Sequence, residues 1–236
     1  HNHNRMYLAS LACNIAKSHW LNPAKWMYFN LFDGDWGSNA LSWQWVCGSN
    51  SNKKYYANQE NINKYCYTSQ RNTFLDIDYS KFELLQIPKN LKETETLKLS
   101  TKLPENKILK IDNNSPTLIY NYYNLDPKWR QEKNYNRVFL LEPKTFEKYP
   151  VSSKCIDFAI ELSKNIKGIQ IYVGSFFDLV KQYDIKNTLY KEHPLNNYQG
   201  IEDSRDWMFE THESVKSFFS YWKKCKKELK IKNIIK

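Results

Sequence analysis

Glycine is scarce in this sequence, and no phosphate-binding fingerprint occurs. Only 6 of the 236 residues are glycine, and none of them falls in a Gly-x-Gly-x-x-Gly motif. In such a motif, glycines let the backbone approach the pyrophosphate of a dinucleotide closely. The sequence therefore does not predict a Rossmann dinucleotide module.

Metal-binding motifs, signal segments and long apolar runs are lacking as well. The five cysteines contain no Cys-x-x-Cys pair, which argues against a zinc knuckle, a local iron–sulfur loop and a secreted disulfide framework. His1, His3 and His19 have spacings that do not favour a metal site. No run approaches the roughly 20 apolar residues that span a bilayer, and no basic-then-apolar signal opens the chain. We therefore expect no catalytic metal, no membrane partner and a cytoplasmic location.

Positive charge and aromatic side chains are abundant. The formal net charge is +10, and 16% of the residues are aromatic. Such an aromatic content indicates a folded core. The excess of cations is typical of a protein that binds a polyanion such as DNA, and it is equally typical of a lysine-rich surface.

Helical patterns fill the first 75 residues. Asn22 before Pro23 is typical of a helix cap and first turn, and Gly48 is a typical helix end. Helices are predicted over residues 4–17, from Asn22 through Phe29, over residues 39–46 and over residues 60–65.

Strands and helices alternate in the second half of the sequence. Strands are predicted over residues 118–120, 137–141, 170–173 and 189–190, and helices over residues 154–165, 176–183 and 215–229. The last helix carries lysines at positions 223, 224, 226, 227 and 230. Strands that are separated by helices indicate parallel pairing.

The fold class expected from these patterns is mixed, α+β. Residues 1–75 are predicted to form part of an all-helical domain. Residues 76–114, with little periodicity, are predicted to be a linker or a surface excursion. Residues 115–236 are predicted to form a small parallel α/β domain that ends in the lysine-rich helix.

The residues from 33 to 45 combine acids, an amide and indoles around one turn. Asp33-Gly34-Asp35 is followed by Asn39 and by Trp43-Gln44-Trp45. Two carboxylates are costly to bury without partners, so the segment suits a charged aromatic ligand. It is equally typical of a turn that precedes an aromatic core helix.

Five short motifs in this region share their order and spacing with a known family. They are Asn2-x-x-Arg5-Met6, Trp20 after a helix, Asp33-Gly34-Asp35, Asn39 and Trp43-Gln44-Trp45. Residues 1 to 66 thereby resemble the second half of the FAD-binding helical domain of DNA photolyases and cryptochromes. The resemblance implies FAD as the cofactor and damaged DNA as a partner.

The resemblance also implies a role for each residue near the flavin. Arg5 and Asp33 would form an ion pair beside the flavin ring, although a plain interhelix salt bridge would look the same. Gly34 and Asp35 would lie at the polar edge of the ring, with Asp35 in direct contact. Asn39 would face the reactive ring nitrogen, or would cap a helix, or both.

Electron transfer and lesion binding are implied in the same way. Trp43 and Trp20 would be the inner and middle members of an electron-transfer chain, although a buried Trp is more commonly part of a core. Asn2, Met6 and Trp45 match positions that touch a flipped-out pyrimidine dimer. The outermost Trp of this electron-transfer chain would lie before His1 and is missing, and its replacement by Trp26, by Trp36 or by one of the 17 tyrosines stays open.

The function that this resemblance implies is light-driven electron transfer from FAD to damaged DNA. Two alternatives stay open: a cryptochrome-like blue-light sensor that binds FAD without repair, and an incomplete fragment that does not bind FAD alone. The family places its phosphate-gripping residues before the Asn-x-x-Arg-Met motif, so an upstream part of the protein is expected to be missing. Leu141-Glu142-Pro143 resembles the small α/β domain of photolyases, but the order of the domains is reversed, and no antenna pigment is predicted.

Overall fold

The amino-terminal part of the chain is helical. The computed structural model describes residues 1–211, 215, 217–232 and 234. Its first helices are α1 (Asn2–Ala9), α2 (Leu21–Asn30), α3 (Trp36–Cys47) and α4 (Gln59–Cys66), and α1 continues directly into a wide π-helical turn, Ser10–Ile15. That turn lets the buried Asn14 side chain donate hydrogen bonds to the carbonyl oxygens of Val46 and Tyr55, at 3.0 and 2.7 Å.

Two of these helices begin earlier than predicted. Helix α2 begins at Leu21, and the preceding Trp20 already has helical dihedral angles, so Asn22 does not cap it. Helix α3 begins at Trp36 instead of near Asn39, because the Asp35 side chain accepts a hydrogen bond from the Ser38 backbone N–H. Its end was predicted correctly: Gly48 takes the left-handed conformation, φ 77°, that suits glycine at a helix end.

The stretch from residue 76 to residue 114 contains short 3₁₀ turns and extended chain. The turns are Tyr79–Leu84 and Lys89–Leu91. Phe82 is fully buried and packs with Ile15 and Leu75, whereas Leu109 packs on the sheet of the second half. This stretch therefore lies against both parts of the molecule, although residues 93–96 are exposed as their polarity suggests.

A parallel sheet organises the second half of the described chain. Its strands are β1 (Thr117–Tyr120), β2 (Asn136–Leu141), β3 (Ile169–Val173), β4 (Thr188–Lys191) and β5 (Ile201–Asp203), in the order β3-β2-β1-β4-β5. Every pairing between neighbours is parallel. The associated helices are α5 (Pro143–Lys148), α6 (Ser153–Ser163), α7 (Phe176–Gln182) and α8 (Phe218–Ile231).

The fold class is therefore the predicted one, a helical segment followed by a parallel α/β segment. Four strands lie where the hydrophobic runs indicate them, and the short edge strand β5 was missed. Helix α8 begins at Phe218 and not near Val215, because the Ser217 side chain accepts a hydrogen bond from the Ser220 backbone N–H. In the part of the chain that the structure describes, no helix has the length and apolar character needed to cross a membrane.

The two parts share an apolar core. Phe139, Leu141 and Ile156 of the α/β part pack in one buried cluster with Tyr28 of α2. The backbone N–H of Ser152 also donates to the carbonyl oxygen of Phe29 at 2.8 Å. Helix α2 is thus in contact with both the other amino-terminal helices and the sheet part.

Candidate functional site

A pocket opens between α1, α2 and α3. It has a volume of about 180 Å³. Its walls are formed by Asn2, Arg5, Met6, Ala9, Met27, Leu31, Asp33, Asp35, Ser38, Asn39, Ser42, Trp43 and Val46. Most of the residues that the motifs single out therefore meet at one place.

Arg5 and Asp33 form the predicted ion pair at the rim of this pocket. The Arg5 Nη2 donates to both carboxylate oxygens of Asp33, at 2.9 Å each. One guanidinium nitrogen thus makes both bonds. The pair is not buried, since the two side chains are 39% and 70% exposed. The hydrogen bond from Arg5 holds the pKa of the Asp33 carboxyl below its usual value.

Asp35 lines the pocket and also shapes it. Its Oδ1 accepts a hydrogen bond from the Ser38 backbone N–H at 2.7 Å, which caps α3. Gly34 does not line the pocket. A Cβ at Gly34 would lie 3.2 Å from Cδ2 of Tyr28 and 3.2 Å from the carbonyl oxygen of Leu31. The turn therefore lies tightly against Tyr28.

Asn39 is buried in the pocket wall and does not cap a helix. Its Nδ2 donates to the carbonyl oxygen of Ala24 at 2.9 Å, which ties α3 to α2. An amide has two N–H donors and one oxygen acceptor. That single bond fixes the orientation of the amide, and further hydrogen-bonding capacity is left for a ligand.

The tryptophans that the motifs single out have different environments. Trp43 is 2% exposed and lines the pocket. Trp20 packs against the same apolar cluster as Trp43 but does not line the pocket. Trp45 is 47% exposed, lies outside the pocket lining and packs against Tyr55 with a ring-centroid distance of 5.8 Å.

Asn2 and Met6 lie at the pocket together with the flavin candidates. The Asn2 amide is 3.6 Å from the Met6 sulfur, and both side chains line the pocket. Two of the three lesion-contact candidates thus share the cavity with Arg5 and Asp33. The assignment of roles to all of these residues stays a prediction.

Ser38 and Ser42 are pocket residues that the sequence analysis missed. They lie on the same face of α3 as Asp35 and Asn39, at positions i+3 and i+7 from Asp35. Because residues three and four apart share a helix face, this periodicity could have identified them. The Ser42 hydroxyl donates to the Ser38 carbonyl oxygen at 2.7 Å.

A second crevice lies at the carboxyl ends of the strands but is almost filled. In open parallel sheets, ligands commonly bind at this edge, where the strand order reverses. Here the Asn121 amide donates to Asn196 at 2.7 Å, and the Tyr198 hydroxyl donates to Glu142 at 3.2 Å. The cavity that remains has a volume of about 20 Å³.

Metal ligands do not gather in the described residues. No group of three or more His, Cys, Asp and Glu side chains is arranged there to hold a metal ion. The polar groups of the main pocket are instead a cation, two carboxylates, amides and hydroxyls. This set, backed by an indole, defines a site for a polar aromatic cofactor.

The comparisons with known proteins identify that class of cofactor. Residues 1–76 match the family model of the FAD binding domain of DNA photolyase. No curated protein and no solved structure matches the chain. Over this segment the chain is similar to the FAD-binding domain of DNA photolyase, and the match supports FAD as the cofactor.

The chemistry of the pocket suits the ring end of FAD. Arg5, Asp35 and Asn39 bring hydrogen-bond donors and acceptors to the pocket, and Trp43 brings an apolar wall. Its volume is smaller than the ~300 Å³ at which pockets for drug-sized ligands begin. The adenine and phosphates of the cofactor therefore need a further surface.

Proposed function

We propose that this protein is a photolyase-type flavoprotein that transfers an electron, driven by blue light, from FAD to a pyrimidine dimer in DNA. The observation that supports this proposal is the position of Asn2 and Met6. Both line the same pocket as Arg5, Asp33 and Asn39. A lesion that has left the base stack can thus contact an amide and a thioether beside the flavin site.

Each side chain of the pocket has a physical role in this proposal. When bound, FAD supplies the light absorption and the transferable electron. Arg5 balances the charge of Asp33, and the fixed Asn39 amide orients polar atoms toward the flavin ring. Trp43 is buried in the pocket wall, where it would keep water from the ring and would be the residue that exchanges an electron with it.

The positive charge supports binding to DNA. The net charge is +10, and Lys53 and Lys54 border an open groove near Gly48, at the end of α3. Cations that neutralise phosphates release counterions, so such binding weakens with salt, with a log–log slope of about −0.9 per contact on duplex DNA. We expect the affinity for DNA to fall steeply between low and physiological salt.

The repair experiment uses the FAD-loaded chain and an ultraviolet-irradiated thymine oligonucleotide. Dimer loss is measured by chromatography under blue light and in the dark. We expect light-dependent restoration, which falls roughly tenfold in Asn2→Ala through loss of a hydrogen bond to the lesion, with an unchanged flavin spectrum. Asn50→Ala, on an exposed loop, is the matched control. No restoration by the FAD-loaded protein would reject the repair function.

The sensor alternative is favoured by one observation, the position of Trp45. It lies outside the pocket, so one member of the expected lesion contacts is displaced. Flavin photoreduction without dimer loss in the same experiment would select the sensor. The remaining alternative, an incomplete fragment that does not bind FAD alone, is tested first. The chain is titrated with FAD and flavin fluorescence is measured, and such a fragment would give no saturable signal.

A further inference from the structure

An open groove lies at the amino ends of β2 and β3, at the edge of the sheet opposite the filled crevice. It has a volume of about 630 Å³, which lies within the range of roughly 300–1,000 Å³ that is usual for small-molecule pockets. Among the described residues, three cations, Lys133, Arg137 and Lys167, and one carboxylate, that of Glu132, line the groove. Its walls are therefore positively charged.

Arg137 is the buried member of this set. It is the second residue of β2 and is 9% exposed. Its Nη1 donates to the carbonyl oxygen of Tyr135 at 3.1 Å, and its Nη2 donates to those of Arg130 and Lys133, at 3.0 and 2.9 Å. These carbonyls orient the guanidinium but carry no net charge, and no carboxylate of the described chain forms an ion pair with it. Because a buried cation is costly without a counter-charge, an anion in the groove would stabilise it.

The charges around the groove match an anion with two negative charges. Lys133 and Lys167 are exposed, and in the part of the chain that the structure describes neither ammonium group pairs with a carboxylate. Three cations and one carboxylate leave two positive charges. The carboxyl end of α6, at Ser163, brings a partial negative charge of about half a unit, which is too small to reverse this balance.

We propose that this groove binds the phosphate group of a small phosphorylated molecule. A phosphate monoester carries about −1.5 to −2 charges at pH 7, whereas each phosphate of a nucleic-acid backbone carries one, so the balance favours the monoester. Arg137 contributes its charge and the second N–H of Nη1, which the bond to Tyr135 leaves over. Lys133 and Lys167 contribute ammonium donors, and the amides of Gln131 and Asn134 lie beside them for the polar groups of the attached molecule. The proposal is independent of FAD binding and of DNA repair.

The experiment measures the binding of inorganic phosphate and of methyl phosphate to the full chain by isothermal titration calorimetry at physiological ionic strength. Dimethyl phosphate, which has one negative charge, is the comparison ligand. The variants are Lys133→Met and Lys167→Met, and Lys154→Met, at an exposed position of α6 outside the groove, is the matched control. We expect saturable binding of both doubly charged ligands to the parent and to the control. Each groove variant should bind them roughly tenfold more weakly, because one charge-assisted hydrogen bond is lost.

Three outcomes would overturn the proposal. Absence of saturable binding to the parent would reject the site, and equal weakening in Lys154→Met would assign the binding to the net charge of +10. Displacement of bound phosphate by a single-stranded oligonucleotide, with dimethyl phosphate bound as tightly as methyl phosphate, would assign the groove to a nucleic-acid backbone. Melting temperatures of the two groove variants equal to that of the parent would show that the weaker binding does not come from a loss of fold.

Discussion

The main pocket and the crevice of the sheet differ in how their polar side chains are used. Around the pocket, the side chains of Arg5 and Asp33 are 39% and 70% exposed, and the space between the helices has a volume of about 180 Å³. Between the carboxyl ends of β1 and β2, Asn121, Asn196 and Tyr198 bond to one another and to Glu142 and leave a cavity of about 20 Å³. An open groove of about 610 Å³ lies beside it, at Ser175 and Phe176.

The difference shows that topology alone does not make a binding site. The sheet has the strand order and the parallel pairing that commonly accompany a ligand at this edge, yet its polar groups satisfy one another. In the helical part, polar groups with remaining capacity surround an open volume. Four experiments test this comparison, beginning with the largest expected effect.

Phe139→Ala tests whether the two regions unfold together. Phe139 is fully buried in the cluster that contains Tyr28, so we expect the free energy of unfolding to fall by about 3–5 kcal/mol. Denaturation followed by circular dichroism should show one transition, at lower denaturant in the variant. Phe177→Ala is the control, since Phe177 is 69% exposed. A helical part that keeps its original midpoint would show that the regions are independent.

The substitution Asp203→Asn tests the ion pair between Arg130 and Asp203 in the sheet part. It accepts hydrogen bonds from Arg130 at 2.7 and 2.9 Å and from the Trp129 indole at 2.8 Å, and we expect Asp203→Asn to cost about 2 kcal/mol. The bonds from Arg130 hold the pKa of Asp203 below its usual value.

The lowered pKa of Asp203 determines how the stability of the fold depends on pH. The stabilisation is present above the unfolded pKa of about 3.9 and is lost as the pH falls through the lower folded pKa. Urea unfolding of the parent and of Asp203→Asn at several pH values measures it, with Asp78→Asn as an exposed control. The stability difference between parent and variant should begin to shrink below about pH 4 and should vanish below the lower folded pKa. A stability difference that persists there would contradict the assignment.

Arg5→Met tests whether the ion pair between Arg5 and Asp33 contributes more to FAD binding than to the stability of the fold. Because the pair is largely exposed, the change in stability should be at most about 1 kcal/mol. The affinity for FAD should fall roughly tenfold, because a charge-assisted hydrogen bond near the bound ring is lost. Fluorescence titration with FAD measures this affinity, and Lys25→Met, at an exposed position of α2, is the control. Equal affinities in both variants would remove Arg5 from the site.

Asp35→Ala and Ser175→Ala compare one helix cap from each region. Both side chains accept a backbone N–H, from Ser38 at 2.7 Å and from Asp178 at 3.0 Å. Each change should cost about 1 kcal/mol, as thermal unfolding would show. Only Asp35→Ala should also weaken FAD binding. Equal FAD affinities would mean that Asp35 acts solely as a cap.

Much of this architecture follows from local sequence signals. The apolar runs that became β1, β2 and β3 and the Gly48 helix end are read directly from residue type. The motif residues Arg5, Asp33 and Asn39 lie at one pocket, as expected, because helix periodicity and a tight turn fix their relative positions.

Other features depend on contacts that sequence patterns do not contain. The strand β5 is three residues long and has little apolar character, so only its pairing with β4 defines it. The position of Trp45 depends on its packing with Tyr55. The sequence allows Asn39 to cap a helix, but its side-chain amide instead donates a hydrogen bond to the carbonyl oxygen of Ala24, fifteen residues away.

The wide turn Ser10–Ile15 sets the angular phase between the two ends of the first helical stretch. Before it lie Arg5 and Met6 at the pocket, and within it lies Asn14, bonded to Val46 and Tyr55. The wide turn takes up one more residue than a regular α turn while its two ends stay in phase. One further residue, inserted at regular α geometry, would rotate one end against the other by roughly 100°. Either the pocket cation or the buried amide would then point away from its acceptors, so the length of this segment is as constrained as its chemistry.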